Sequence, residues 1–536
     1  MNHLLKKPHL LYLLTIIALG AFLRFYNLNW DQGHYLHPDE RLYVNASNIK
    51  LPQSFEEFLS SDSPLNPNMF YYGSFPLFLY KAVYTIFTPT ESFLVTSRFI
   101  SSLFSILTIL VVYFIGKILF SNKVGLVAAF IFAFSVGSIQ HAHFNTTESI
   151  LTFFLSLITL FSVYLLKQKT YIFAIFLGIL TGAAYATKII GLTFLFIPII
   201  SFILIFFKKR KILKLIISII TFIILSIITG FLLAPYQVID YEQFSREQAY
   251  MQGVTYGKDK PPFIIIYEGT LPYVYQITKI LPFTFGFISF PLALIGLFFL
   301  LKDFINNKES KHLYIFILIY PLLYFLWVGE WYAKFSRYYM PLFPFLSIWT
   351  AYILGRFKKT ILILVLCLIS INGIIFLKIY QKPNTRIQAS EWIYHNVPNK
   401  SILLGEHWDD NLPLPIANWY KQYNMMQLSV YDQDSYAKIS QLSENLGKGD
   451  YFIISSRRVY YSILKNEKVY PYTSRFYRLL FAGQLGYRQV ATFTNYPFFF
   501  SDDVADESFQ SYDHPPVYIF KNEKKLPPDQ ISNMLL

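Results

Sequence analysis

At 536 residues, with 54% hydrophobic, 19% aromatic and only 15% charged residues, the chain lacks the composition of a soluble protein. Its formal charge of +14 does not mark a nucleic-acid binder, because the basic residues sit in short loops between apolar runs, the positive-inside signature of membrane proteins. The single cysteine, Cys367, lies in an apolar run and excludes both an internal disulfide and a Cys-based metal site.

Taken in chain order, the apolar runs reach the length of ~18 residues or more that spans a bilayer. Clear cases are Leu10 to Leu23 (continuing to Tyr26), Ile189 to Phe207, Leu215 to Leu233 and Ile361 to Leu377. Lys6 and Lys7 before the first run, with Ala18-Leu19-Gly20 inside it, also fit a signal peptide, and a retained signal-anchor helix is the reading adopted. Basic loops at Lys6–Lys7, Lys117–Lys123, Lys167–Lys169, Lys208–Lys214, Lys302–Lys311 and Arg356–Lys359 are assigned to the cytoplasm. Between them the sequence predicts eleven helices, at 8–26, 97–117, 124–141, 148–166, 170–187, 189–207, 213–233, 281–301, 313–329, 339–355 and 360–379. The odd number leaves the N-terminus inside and the C-terminus outside. Residues 76–88, short and interrupted by Lys81, would invert every later basic loop if counted, so 70–90 is read as an interfacial helix within an outer loop 27–96. The fold class expected is a polytopic α-helical membrane protein, a transmembrane domain over 1–380, followed by an extracytoplasmic α/β domain over 381–536. In that tail, period-2 stretches at Ser401–Gly405, Tyr451–Ser455, Arg488–Thr494 and Val517–Lys521 alternate with helical patterns such as Ile387 to His395. No internal repeat is visible, which weighs against a transporter built from inverted halves.

Chemistry-bearing residues gather on the predicted outer face. In His37-Pro38-Asp39-Glu40-Arg41, two adjacent carboxylates at a membrane surface point to function, although Pro followed by two acids is also an ordinary helix start. His141-Ala142-His143-Phe144-Asn145-Thr146-Thr147-Glu148 lies at an outer mouth between two spans. There Thr146 or Thr147 is a candidate N-cap, and the two histidines diverge by ~200° on a helix, favouring satisfied interfacial residues over half of a metal site. Arg98, Lys188, Lys334 and Arg337 are isolated cations at helix mouths, each also explicable as a side chain snorkelling to headgroups. Acids and separate cations on one face suit a lipid-linked anionic substrate attacked by a group that loses a proton.

The order of these motifs resembles the GT-C glycosyltransferases of family 39, which comprise the protein O-mannosyltransferases, the aminoarabinose transferases of lipid A and uncharacterised bacterial relatives. Leu23-Arg24-Phe25 followed by His37-Pro38-Asp39-Glu40 is similar to their first acidic motif, and His143-Phe144 with Glu148-Ser149 to their second. Gly182 with Ala186-Thr187-Lys188 resembles their Thr-Lys-Gly segment, with Ile189 and Ile190 inserted before Gly191. Arg337-Tyr338-Tyr339-Met340-Pro341 with Pro344 resembles their Arg-Tyr-x-Leu-Pro-x-x-Pro segment. Ala389-Ser390-Glu391-Trp392, Trp408-Asp409-Asp410 and Asp506-Glu507-Ser508-Phe509 with Tyr512-Asp513-His514-Pro515 resemble the tails of bacterial members. Two departures stand out: Tyr71-Tyr72-Gly73-Ser74-Phe75-Pro76 where the lipid A enzymes carry Lys-Pro-Pro, and Glu148 where Asp is usual.

The resemblance implies a GT-C fold and an inverting transfer of a sugar from dolichyl or undecaprenyl phosphate to an acceptor hydroxyl of a lipid, glycan or protein, in the plasma membrane. It assigns Asp39 as base with Glu40 as neighbour or substitute, and Glu148 as a group positioning donor or acceptor. His37, Arg98, His143, Lys188, Lys334 and Arg337 are the expected substrate-binding residues. No cofactor is expected, and a divalent metal stays open only through His141, His143 and Glu148. The rival function is a flippase or transporter of lipid-linked sugars with the acids as a proton relay. It would need ionisable residues along the span centres, where this chain has almost none. A purely structural scaffold leaves the paired acids and outer cations unexplained.

Overall fold

The structure, a computed structural model, describes residues 8–87, 92–168, 171–207, 212–306, 311–417 and 419–536. Of the predicted features, Lys6, Lys7, Lys169, Lys208 to Lys211, Lys308 and the end of the 70–90 helix lie outside the described residues. The chain divides into two compact units. The first comprises Met1–Leu28, His37–Gln252 and Pro272–Leu377, and the second Asn29–Leu36, Gly253–Leu271 and Lys378–Leu536. The main division falls close to residue 380, and two outer-loop segments that the sequence groups with the membrane part belong with the tail.

The first unit is helical: α1 (Pro8–Phe25), α2 (Pro38–Asn45), α3 (Ser74–Phe87), α4 (Phe93–Leu119), α5 (Asn122–Phe134), α6 (Val136–Ala142), α7 (Glu148–Gln168), α8 (Phe173–Thr187), α9 (Phe196–Phe207), α10 (Ile212–Leu233), α11 (Tyr241–Tyr256, running into the second unit), α12 (Ser289–Asn306), α13 (Lys311–Gly329), α14 (Phe343–Leu354) and α15 (Lys359–Phe376). Among the described residues, eight helices are long and apolar enough to cross a membrane, or up to nine if the bent pair α5–α6 is one span. The protein is a multi-pass membrane protein.

Four predicted spans differ from the observed helices; in one of them, 189–207, a 3₁₀ stretch over Ile189–Leu195 precedes α9. The 124–141 run is two helices bent by 58°. At the bend the Arg24 guanidinium, fully buried, donates to the carbonyls of Ala133 (2.9 Å) and Phe132 (3.2 Å) and to Ser138 Oγ (2.9 Å), occupying carbonyls that a continuous helix would have used. Hydropathy is continuous across the break and does not register it. The predicted 281–301 helix begins only at Ser289, because the short turn Leu281–Phe285 ends at Gly286, whose φ of 119° no helix accommodates. The 339–355 run is a 3₁₀ stretch, Ser336–Leu342, followed by the twelve residues of α14, with Pro341 and Pro344 removing two backbone donors.

Close backbone approach positions the elements that carry the charged residues. Gly178 and Gly182 let α8 lie against α10, since a Cβ on Gly182 would stand 2.5 Å from the carbonyl oxygen of Ser226. α8 ends one residue before Lys188. Gly73 meets that end: a Cβ there would fall 1.9 Å from the Ala186 oxygen, and its N–H donates to Thr187 O at 3.0 Å. The Tyr-Tyr-Gly departure from the family pattern thus brings the neighbouring Tyr72 to the end of α8.

The second unit holds a five-stranded sheet flanked by helices: α16 (Thr385–Asn396), β1 (Ile402–Glu406), β2 (Asn424–Leu428), α17 (Tyr436–Lys448), β3 (Tyr451–Ile454), α18 (Arg458–Lys465), α19 (Pro471–Phe481), β4 (Tyr487–Phe493), β5 (Val517–Asn522) and α20 (Pro528–Leu535). The strand order is β2-β1-β3-β5-β4, with β1 parallel to β2 and β3, and β5 antiparallel to β3 and β4. Four strands and α16 lie where the period-2 and helical patterns predict. The fifth, β2, is an edge strand whose sequence Asn-Met-Met-Gln-Leu leaves four of five side chains at least partly exposed, so no alternation announces it. Leu404, Phe452, Ile454, Phe476 and Phe520 form the core. A buried polar knot closes one part of the unit. There the His514 ring lies between Asp502 (2.7 Å) and Asp513 (2.5 Å). Although burial opposes its charged form, the two carboxylates hold the imidazole up at about 10.

Candidate active site

The first acidic motif is a helix start, as its local sequence suggests. Pro38 is the first residue of α2, and His37 is its N-cap, with Nδ1 accepting the Asp39 N–H at 3.2 Å. Burial, followed by the nearby Arg337 charge, pushes the His37 imidazole well below its ordinary range, which favours the neutral ring that Nδ1 needs in order to accept. Its face packs on Phe144 with centroids 4.6 Å apart. His37 therefore fixes the first turn of α2.

Capping does not exhaust the motif, because both acids of that turn also make tertiary ion pairs. Asp39 accepts from Arg337, almost 300 residues later, through a short bond between Oδ2 and Nη1. Glu40, on a different side of the turn, is fully buried and takes Arg98 from α4 in a fork, Nε to Oε1 at 2.9 Å and Nη2 to Oε2 at 2.5 Å. The same carboxylate accepts the Asn145 N–H at 2.5 Å, and Arg98 Nη1 donates to Leu28 O at 2.8 Å. The third acid, Glu148 at the start of α7, accepts from Lys188 Nζ at 3.0 Å. Each of the three acids predicted from the sequence is thus paired with one of the predicted cations.

The pairs differ in access. Glu40 and Arg98 are both 0% exposed, whereas Asp39 and Arg337 retain 16% and 11%, and Lys188 retains 15%. Tyr338 joins the two accessible cations: Lys188 Nζ lies 5.7 Å and the Arg337 guanidinium carbon 5.7 Å from its ring centre. The Tyr72 ring also lies 5.2 Å from Lys188 Nζ and stacks on Tyr43, and the Phe335 ring lies 4.6 Å from the Arg337 guanidinium. These aromatics were missed by sequence reasoning. Tyr338 stood in the Arg-Tyr motif and Tyr72 in the Tyr-Tyr-Gly departure, but among 42 tyrosines neither was singled out as a site residue.

Two predicted binding residues face their own backbone. His143 has Nδ1 at 2.9 Å from Ile139 O and Nε2 at 2.8 Å from Tyr26 O, which ties α6 to the end of α1. Lys334, 2% exposed, donates to Tyr332 O at 3.1 Å. The Asn145-Thr146-Thr147 turn shows the opposite condition. The Asn145 side-chain amide, Thr146 Oγ1 and Glu148 Oε2 are buried and have no hydrogen-bond partner among the described residues. Leaving such groups unsatisfied is costly, so this turn leaves polar groups that water or a ligand could satisfy. Among the described residues no group of three or more His, Cys, Asp and Glu side chains is placed to hold a metal ion.

Comparisons with known proteins bear on this arrangement. Residues 75–233 match the family described as dolichyl-phosphate-mannose-protein mannosyltransferase, a stretch that includes Arg98, His143, Glu148 and Lys188. No curated protein gives a significant match. Among solved structures, the chain is similar to the oligosaccharyltransferase AglB from Archaeoglobus fulgidus in complex with an inhibitory peptide and a dolichol-phosphate, at 13% identity and TM-score 0.51, covering 88% of this chain and 72% of that one. ArnT from Cupriavidus metallidurans in the apo state shares 13% identity over 95% of this chain and 97% of its own, at TM-score 0.48. At such identities the first likeness speaks to the fold alone, and the second carries no further weight.

Proposed function

We propose that this chain is a GT-C glycosyltransferase related to the protein O-mannosyltransferases and moves a sugar from a polyprenyl-phosphate carrier to an acceptor hydroxyl at the outer face of the membrane. The observation that carries this reading is the partly open pair Asp39–Arg337 and the pair Glu148–Lys188, in which the lysine stays partly open, with both cations on the Tyr338 ring and the four residues drawn from distant stretches of sequence. Two cations that share the Tyr338 ring suit a phosphate, and a partly exposed carboxylate beside one of them suits the acceptor's proton. A lipid phosphate as the carrier follows the description of the matched family, and the Archaeoglobus neighbour is bound to a dolichol-phosphate.

In the reaction, the acceptor oxygen attacks the anomeric carbon from the face opposite the phosphate. The bond from that carbon to the phosphate oxygen breaks, its electron pair leaves on the phosphate, and the acceptor proton passes to Asp39. The leaving group is a phosphate monoester, so no general acid is needed. Arg337 and Lys188 stabilise the charge that grows on it, which also gives the reaction its cationic assistance without a metal. A donor phosphate that draws Arg337 to itself would leave Asp39 Oδ2 turned to the acceptor. Glu148 Oε2, Asn145 and Thr146 are the groups assigned to sugar hydroxyls. Glu40 is reassigned from substitute base to positioning residue, since its oxygens already hold Arg98 and the Asn145 N–H. Arg98, His37 and His143 act with it, and Lys334 shapes the approach to Arg337.

The test is Arg337→Ala. Loss of a charge-assisted contact to the phosphate should weaken donor binding and slow turnover together, with KM rising and kcat falling. A variant with unchanged donor affinity would remove Arg337 from the phosphate site.

Sidedness belongs to the same reading, because the basic loops assign the span ends that carry these residues to the outer face. In a Cys367→Ser background, Gln381→Cys, just past α15, should react with an impermeant maleimide in intact cells, whereas Lys359→Cys, at its other end, should react only after permeabilisation. The reverse pattern would place the site on the cytoplasmic face.

A further inference from the structure

The second unit carries an apolar feature that sugar transfer does not use. In the loop Asn495-Tyr496-Pro497-Phe498-Phe499-Phe500-Ser501, Phe499 is 93% exposed and Phe500 49%, and Val504 just beyond is 56% exposed. The loop is rigidly built. Phe498 is buried and stacks on Phe509 (6.2 Å, planes 4° apart) and on Phe500 (5.5 Å, 17°). Tyr496 donates to Asp503 Oδ2 at 3.2 Å, and Arg457 donates to the carbonyls of Asp503 and Ala505. Both of its acids are held within the chain: Asp502 is fully buried against His514 and Gln510, and Asp503 accepts from Tyr496 and Ser501. A held loop that keeps two acids engaged and two phenylalanines exposed is made to present those rings to an apolar phase.

The base of the loop identifies that phase. Asn495 Nδ2 donates to the carbonyl of Ile379 at 2.9 Å, and Ile379 is only three residues beyond α15, a membrane span. The next residue, Tyr380, packs on Trp30 with centroids 6.3 Å apart, and Trp30 follows the end of α1, another span, by five residues. At ~3.3–3.6 Å per residue, the chain itself keeps Ile379 within about 11 Å and Trp30 within about 18 Å of the end of a span, so the base of the loop stays within reach of a membrane surface whatever the pose of the unit. We propose that Phe499, Phe500 and Val504 form a foot by which the second unit rests on the lipid bilayer, the rings lying at the boundary between headgroups and acyl chains, where amphipathic and aromatic anchors bind. The foot limits how far the second unit swings from the membrane, and it depends on the multi-pass topology, not on the sugar-transfer reading.

The full chain, in the Cys367→Ser background and reconstituted in phosphatidylcholine–phosphatidylglycerol vesicles, tests this directly. Phe499→Cys and, separately, Val504→Cys carry an environment-sensitive nitrobenzoxadiazole dye, with Glu444→Cys on the exposed face of α17 as the aqueous reference. At the two loop positions the dye should emit to the blue of the reference, be quenched by lipids bearing a nitroxide near the headgroup, and be protected from iodide. Quenching by iodide equal to the reference, with none from lipid nitroxide, would overturn the proposal by leaving the loop in water. Protection from both quenchers would also overturn it, by showing that protein and not lipid covers the rings.

Discussion

Asp39→Asn should lower kcat by roughly 10²–10⁴-fold, the usual contribution of a general base, while donor affinity stays near that of the parent protein. The substitution keeps the shape of the side chain and its ability to accept from Arg337, and it removes the capacity to hold the acceptor's proton. The alternative is that Asp39 serves only the first turn of α2. In that case the loss would be a few tenths of a kcal/mol of helix-dipole stabilisation with turnover almost intact. Steady-state assays on folded protein separate the two outcomes, and Arg337→Ala supplies the contrasting pattern in which binding and turnover fall together.

Glu40→Ala should act through stability. Arg98 is wholly buried and its Nε and Nη2 rest on Glu40, so removing the carboxylate strands a charged guanidinium beside the membrane core. Loss of one partner of a buried pair costs about 3–5 kcal/mol, and here it also frees the Asn145 N–H, and with it the turn that presents Glu148. The variant should melt well below the parent in the same detergent. The double variant Glu40→Ala, Arg98→Met should recover part of the loss, because it removes the stranded charge as well. A Glu40→Ala protein of parental stability and low turnover would instead return Glu40 to the list of catalytic bases.

The sequence announced what stands out against an apolar background. Asp39, Glu148, Lys188 and Arg337 were visible because charges at the mouths of membrane helices are costly and few, and because their order resembles that of known motifs. Their pairing was not visible, since nothing in a single sequence connects Asp39 to a guanidinium almost 300 residues away. Nor was the division of labour between Asp39 and Glu40, neighbours in sequence whose side chains leave the same helical turn toward different partners, one partly open and one sealed. The break at Ser135 escaped because its cause, the Arg24 guanidinium, comes from another helix. In the second unit, strands with one buried face were legible by alternation, and the exposed edge strand β2 was not. The tyrosines around Lys188 were hidden by abundance, since the chain has 42 of them.

The central claim is that the site transfers a sugar from a lipid phosphate with inversion. Its most direct test is to incubate the purified protein in proteoliposomes with a panel of anomerically pure, isotope-labelled polyprenyl-phosphate sugars, and to follow both the lipid and the label. The account predicts that one donor yields free polyprenyl phosphate in step with a glycosylated acceptor of opposite anomeric configuration, and that Asp39→Asn suppresses both. Donors that cross the bilayer intact, or a product that keeps the donor's configuration, would contradict it.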